Sequence, residues 1–383
     1  MAIELSVQFN KDCQFVGASK SAWSDALKVH VGLAIGCLHV LCLGLWFLVP
    51  RRLWRPAGLL LALATGGGML WLARSRREND EPLAWMSAFL GSVFGFQAFF
   101  KNLAVSNESF PEGADKDMKT WVLWYTNFPE PCVAKGNLVK AASRSTIRQA
   151  GLATVKLGIM IMLLSTSANQ ENIRPLVVSG SASAAEDFFV ELLTNYIQLW
   201  WIYLWLSFCL DLGALVLMIH GYATEPPFAN PLLSSRSYRE CWGERWNRPV
   251  HLLLKRSVYK PLRRMGARPL VSSCLTFAAS GILHEYTFFI HNYRGYHFGY
   301  AFTFFLAMGA LMSAEGVIPW PSFARKFAGF LPVPVWAILM QLPIVTIFAP
   351  LFFNSWIESG HLNSVSELLP HWECPASPLL KTN

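Results

Sequence analysis

The 383-residue sequence predicts an all-α, polytopic membrane protein with about eight transmembrane helices and one interfacial amphipathic helix. Three observations predict it. Apolar residues make up 53% of the chain and charged residues only 15%, against about 25% charged in a soluble domain. Mean hydropathy is +0.34. Apolar runs of bilayer length, roughly 17–25 residues, recur along the chain without the alternation of a membrane barrel. Such a chain, with 16 Trp and 27 Phe, has too little polar surface to coat a water-exposed body. Disorder, a nucleic-acid-binding domain and an ordinary cytosolic enzyme are thereby set aside. The length suits one integral-membrane domain over residues 1–383.

The elements follow in order. The first 28 residues are mostly polar, with Lys11, Asp12, Lys20, Asp25 and Lys28. The apolar run after them is too long for a signal-peptide core and has no small-residue cleavage site, so an uncleaved anchor is expected. Val29–Val49, Ala57–Ala73 and Leu83–Phe100 are the first three spans. Gln149–Ser165 is weakened by Lys156, and Phe188–Ile219 is over-long and contains Asp211. Leu270–Ile290, Phe298–Ala314 and Val333–Phe353 complete the set. The eight cysteines include no C-x-x-C pair, which suits free thiols better than a disulfide or zinc framework.

Orientation follows from Lys/Arg placement. With loops 50–56, 101–148, 220–269 and 315–332 cytosolic, that side holds 22 basic residues and the other side 9. The loop Arg74–Pro82 is discordant, with three arginines on the opposite side. Both ends are expected to be lumenal. No internal repeat stands out, which argues against a transporter.

Net charge is +8, and Arg236–Arg268 carries all of it, with ten basic and two acidic residues. Elsewhere the count is 22 against 22. Such a cluster in a membrane protein suits phosphate-bearing partners, lipid headgroups or an anionic cosubstrate. Within it, Trp242, Trp246, Val250, Leu253/Leu254 and Val258 recur about every four positions as one helix face. Arg239, Arg248, Lys255 and Arg256 fall mostly off that face, which describes a helix lying in the membrane interface. Pro249 should kink or split it. Plain lipid anchoring explains the charge, but it fits the Asn-Pro…Trp-Gly-x-x-Trp-Asn text poorly, since Gly weakens a helix.

His284 lies about fourteen residues into the sixth span, roughly 21 Å at 1.5 Å per residue. An ionisable residue at that depth is a functional candidate. A neutral imidazole there can take the proton from an alcohol as its oxygen attacks a carbonyl. The structural alternative is a hydrogen bond to a carbonyl between helices. Glu285 points about 100° away along the helix, so Ser280, Gly281 and Thr287 are better-placed neighbours. There is no His-Glu-x-x-His pair, no histidine boxes, no Gly-x-Ser-x-Gly elbow and no phosphate loop ending in Gly-Lys-Ser/Thr. No metal is expected. With no activated serine or cysteine visible, direct transfer fits better than a covalent acyl-enzyme.

Three pieces of text occur in order: Pro227-Phe-x-Asn230-Pro-Leu-Leu-Ser-x-Arg236…Trp242-Gly-x-Arg-Trp246-Asn247, then Val258-Tyr-x-Pro-x-Arg263-Arg264, then Ser280-Gly-x-x-His284-Glu285. Together they resemble the wax synthase family, relatives of the membrane-bound O-acyltransferases. The resemblance covers roughly 226–290, within a core of about 220–353. It implies an MBOAT-like fold and an endoplasmic-reticulum enzyme that moves an acyl group from acyl-CoA to an alcohol. It also implies that His284 is the catalytic histidine and that Asn247 assists it. Cys241 stands where members commonly have an aromatic, and Glu244 where they have a basic residue, which leaves acyl and acceptor preference open.

On that reading acyl-CoA is a cosubstrate, no cofactor is tightly bound, and the partners are membrane lipids and a lipophilic alcohol such as a fatty alcohol or sterol. The CoA phosphates would meet Arg245, Arg248, Lys255, Arg263 and Arg264. Asn230, Trp242, Trp246, Ser280 and Glu285 would support the motifs. Asn247 would orient the acyl carbonyl or donate to the oxyanion. Acetyl transfer to a terpenoid is the alternative within the same chemistry. A non-enzymatic lipid carrier is the alternative outside it, and a membrane cyclase would need acids at depth, of which only Glu191, Asp211 and Glu285 qualify.

Overall fold

Residues 14–16, 32–79, 85–168, 184–291, 297–317, 329–358 and 371–373 are described by the computed structural model. The polar leader, apart from 14–16, lies outside them, as do the first residues of two apolar runs. Each predicted apolar run falls on helix. In chain order these are α1 (Gly32–Leu48), α2 (Trp54–Asn79), α3 (Trp85–Ser106), α5 (Ser143–Ala168), α6 (Ala184–Ile219), α11 (Pro269–His291) and α12 (Tyr300–Val317). The last run is α13 (Val333–Pro343) continued into α14 (Ala349–Glu358). Among the described residues, three helical stretches are long and apolar enough to cross a membrane by length and composition: Ser143–Leu163, Glu191–Ile219 and Val333–Phe353. The discordant arginines Arg74, Arg76 and Arg77 lie on α2, which runs on to Asn79, and not in a loop.

Short elements fill the connections. The helix α4 (Met118–Thr126) starts at Asp117, whose carboxylate accepts from the Thr120 N–H (2.8 Å). After it, β2 (Val133–Ala134) and β3 (Asn137–Leu138) form a hairpin. Residues 222–224 join this hairpin through Cys132 N–H to Ala223 O (2.7 Å) and Ala223 N–H to Val139 O (2.8 Å). At the two ends, β1 (Gln14–Val16) pairs antiparallel with β4 (His371–Glu373).

The core is in two main parts. One is a tryptophan cluster of the first helices, in which the Trp54 and Trp121 rings pack tilted by 37° with centroids 4.4 Å apart and the Trp121 Nε1–H donates to Cys42 O (3.3 Å). The other gathers α6, α12 and the α13–α14 pair around Trp201, Phe304, Met308 and Phe352. A smaller cluster, Phe96, Phe100, Leu253, Leu254 and Leu283, ties α3 to the basic segment and α11. One ion pair explains the charges that interrupted the apolar pattern, and a second group of charges is buried beside α3. Lys156 of α5 pairs with Asp211 of α6 and donates to Ser207, so each residue that marred a predicted span is the other's partner. Lys101, fully buried, donates to Trp124 O (2.8 Å) and Glu130 (2.5 Å), and the second Glu130 oxygen takes Arg256.

The basic segment departs from the expected interfacial helix. It folds as α7 (Pro231–Ser234), α8 (Tyr238–Glu240), a wide turn Cys241–Arg245, α9 (Arg248–Leu254), a second wide turn Lys255–Tyr259, and α10 (Lys260–Arg264). The break comes at Trp246 and Asn247, two residues before Pro249. Proline is tolerated in a first helical turn, where its missing N–H would have no partner, so it starts α9 here and does not kink a longer helix. The apolar face packs inward: Leu253 and Leu254 are buried, and Trp242 and Trp246 lean on the second core. Protein takes the place expected for the lipid interface.

Candidate active site

The site begins with two left-handed asparagines. Asn230 (φ 51°) and Asn247 (φ 37°) sit just before α7 and α9, each helix carrying proline in its first turn. Asparagine enters this region more readily than most residues because its short amide can bond locally. The two loops are laced together: Ala229 N–H donates to Arg245 O (3.0 Å), Arg248 N–H to Pro227 O (2.9 Å), and the Arg245 guanidinium to Ala229 O (2.8 Å). The separate Asn-Pro and Trp-Asn texts are therefore one structural unit. Glu315 of α12 anchors its start by accepting from Tyr238 N–H (3.2 Å) and Arg239 N–H (2.8 Å). From α13, Gln341 donates to Leu232 O (2.7 Å).

The Asn247 Oδ1 accepts from Val250 N–H (3.4 Å), capping α9. That assigns the oxygen to the helix and leaves the amide NH2 as a donor. In α11, His284 Nδ1 is 2.7 Å from Ser280 O. A carbonyl only accepts, so Nδ1 carries the hydrogen and Nε2 keeps its lone pair. The ring is sandwiched by aromatics, stacked on Phe305 at 4.0 Å with Phe352 edge-on at 5.8 Å.

Each other residue of the histidine motif has a separate task. Ser280 supplies its carbonyl. A Cβ on Gly281 would meet the Phe302 Cα at 2.9 Å, so only glycine permits this approach of α11 to α12. Glu285 is buried, and its oxygens accept from Gly299 N–H (3.0 Å) and Phe302 N–H (2.7 Å). These are orphan donors of the first turn of α12, where a carboxylate also complements the helix dipole. Glu285 thus fixes α12, and α12 places Phe305 on the imidazole.

One cavity of about 500 Å³ collects these groups. Its walls carry two polar stripes. Asn247, His251 and Lys255, four residues apart, line it from α9 and its two ends, and Ser273, Thr276, Ser280 and His284 line it from α11. Exposed Arg239, Glu244 and Lys255 are its charged lining residues, while Phe304, Phe305, Phe352, Phe353, Ile344 and Val345 belong to its apolar walls. Burial, with Lys255 and Arg248 adding repulsion, pushes the His251 pKa down to about 4.

The three wide turns among the described residues all reach this cavity. Each is closed by an i→i+5 bond: Trp246 N–H to Cys241 O, Lys260 N–H to Lys255 O, and Ala349 N–H to Ile344 O. Residues 242–244, 255, 259, 344 and 345 of these turns are lining residues. Single wide turns inside helices concentrate at functional sites.

Of the residues expected from sequence, His284, Asn247, Trp242, Trp246, Ser280 and Lys255 come together on the cavity. The others lie off its walls. Arg245 pairs with Glu240 (2.5 Å), Arg248 with Glu225, Arg263 donates to Ala267 O (2.5 Å) and Arg264 to Asn107 O (2.6 Å). Asn230 starts α7, and Glu285 holds α12. Sequence reasoning missed Arg239, His251, Ser273 and Thr276 as wall residues. The 3–4–4 spacing of Ser273, Thr276, Ser280 and His284 was a visible signal of one helix face. Phe305 and Phe352 had no such signal, since nothing in an apolar run marks which phenylalanine meets a distant ring.

A match to a known family falls on the same region. Residues 225–307 match the family described as membrane bound O-acyl transferase. Three similar proteins of Arabidopsis thaliana are each called a probable long-chain-alcohol O-fatty-acyltransferase. Number 7 is 31% identical over 180 residues, which is 44% of this chain and 52% of the relative. Number 3 is 32% identical over 154 residues, 38% and 44% of the two chains. Number 9 is 28% identical over 162 residues, 40% and 47%. The chain spans about half the length of the curated relatives it matches. The stretch that builds both asparagine loops and the histidine helix is thus the stretch that matches the membrane bound O-acyl transferases, as its motifs led one to expect.

Proposed function

We propose that this protein is an acyl-CoA-dependent O-acyltransferase that esterifies a lipophilic alcohol, with His284 as general base. The observation that carries the reading is the single cavity joining the His284 ring and Asn247 to the charged residues Arg239 and Lys255. Acyl-CoA enters beside Arg239 and Lys255 with its thioester carbonyl toward Asn247. The acceptor, a fatty alcohol or sterol, enters from lipid. His284 Nε2 takes the hydroxyl proton, the oxygen bonds to the thioester carbon, and the C–S bond breaks. The proton then passes to the thiolate, releasing CoA and the ester. Asn247 donates to the developing oxyanion, and the aromatic walls exclude water that would hydrolyse the thioester. Lys255, Arg239 and outlying Arg245, Arg248, Arg263 and Arg264 attract the CoA phosphates.

The protein works as a multi-pass protein of about eight crossings in the endoplasmic reticulum, with its basic segment cytosolic. Pairing of β1 with β4 supports this reading, because it requires an even number of crossings between them. The names of the similar plant proteins support a long-chain alcohol acceptor. The test is ester formation in microsomes from labelled acyl-CoAs and total lipid extract, identified by mass spectrometry. The His284→Ala protein, expressed at normal level, should lose turnover by roughly 10²–10⁴-fold. Retained turnover would contradict the assignment.

The flat walls of Trp242, Trp246, Phe304 and Phe305 favour a second reading, acetyl transfer to a terpenoid. A cavity of about 500 Å³ is of drug-like size and suits a rigid polycycle with a small acyl group. Competition between acetyl-CoA and palmitoyl-CoA on one microsomal preparation separates the two.

A further inference from the structure

Trp242 lines the cavity from the first wide turn, five residues before Asn247. Its ring is held on two sides, by Trp246 at 5.3 Å and edge-on to Phe304 at 6.1 Å. Yet its Nε1–H is buried and has no acceptor among the described residues. An indole N–H only donates, and burying one unmade is unfavourable. In native structures such a group marks a place where something else supplies the acceptor. Other tryptophans of this protein show that the cost is avoidable: Trp336 Nε1–H donates to Arg236 O (2.9 Å), and Trp54 Nε1–H to Leu45 O (3.1 Å). A phenylalanine would fill the same wall without a stranded donor.

We propose that the Trp242 indole N–H donates to the acyl carbonyl oxygen beside the Asn247 amide, so that two side-chain donors, one from the first wide turn and one from the loop after it, form the oxyanion site. This rests on the acyl-transfer reading above. Both residues line the one cavity, Trp242 from the i→i+5 turn and Asn247 from the left-handed position just after it. The positive end of each donor is fixed before the reaction, which is how such sites favour developing charge.

Two substitutions test it: Trp242→Phe, and replacement of Trp242 by 3-benzothienylalanine, which keeps the bicyclic shape and lacks the N–H. Both should lower kcat for ester formation, by up to about 10²-fold, with little change in KM for the acyl donor. Activity retained by the benzothienyl protein would overturn the proposal and leave Trp242 as packing. The second measurement needs no turnover. In full-length His284→Ala protein in nanodiscs, the infrared carbonyl stretch of bound 1-13C-palmitoyl-CoA or 1-13C-acetyl-CoA should lie lower with Trp242 than with the benzothienyl residue. Equal frequencies would overturn the proposal alone. Absence of any bound thioester band would sink the acyl-transfer reading and this inference with it.

Discussion

The two halves of the molecule are built by different rules. The first, α1 to α4, has no wide turn among its described residues and closes around packed tryptophans; its left-handed non-glycine residue is Glu108 (φ 47°), and its deeply buried charge, Lys101, is satisfied by Trp124 O and Glu130. The second, from Phe228 through Phe353, contains the three wide turns, both left-handed asparagines and the stranded Trp242 N–H. Irregular helix is costly, and the three wide turns among the described residues all reach one cavity, which identifies where geometry matters more than stability. The family match falls on the second half, where backbone and chemistry are tied together.

This contrast can be broken by mutation. Lys101→Met strips one cation from the buried Glu130 while Arg256 remains. It should cost about 3 kcal/mol, the low end for breaking a buried ion pair, seen as a lower thermal midpoint in detergent. Turnover per folded molecule should not change; a selective loss of kcat would place the first half in the catalytic machinery. Asn247→Gly keeps the left-handed backbone but removes the carboxamide, and kcat should fall roughly 10²-fold. Stability should suffer by about 0.5 kcal/mol or less, since glycine is a good cap.

Smaller effects sharpen the boundary between the halves. Gly281→Ala should cost about 1–3 kcal/mol by overpacking against the Phe302 backbone. It should also lower kcat, because a shift of α12 moves Phe305 off the His284 ring. Normal stability and kcat would show that the contact relaxes freely. The smallest effect concerns His251. Its folded pKa of about 4 lies below the ordinary 6.5, so the unfolded chain binds the proton more readily. Its contribution is complete above pH 6.5, falls as pH drops through that window, and is lost by about pH 4. His251→Gln should flatten the acid limb of a stability–pH profile there; an unchanged limb would assign the acid sensitivity elsewhere.

Much of this was legible in the sequence because the physics is local. The apolar runs marked every long helix, and the depth of His284 marked the ring that lines the cavity. The pairing of Lys156 with Asp211 was not legible, because each charge by itself only weakened a span. The basic segment misled for a related reason. Its four-residue repeat matched a helix, but the repeat cannot show whether lipid or protein covers the apolar face. Pro249 raised the right question, while the actual break was set by Asn247 capping α9. Glu285 was placed off the imidazole by helix angle alone, and its task at the start of α12 needed the fold.

The bond between Lys156 and Asp211 has a consequence for biogenesis. A lone lysine midway along a nascent segment resists partitioning from the translocon into hydrocarbon, at about 2.5–3.5 kcal/mol on insertion scales. The segment carrying Lys156 is the less hydropathic of the two, 1.2 against 2.1. Were α5 and α6 to cross a bilayer, release of the first would be favoured once Asp211 had emerged from the ribosome to neutralise it, and the two would be delivered together as a hairpin.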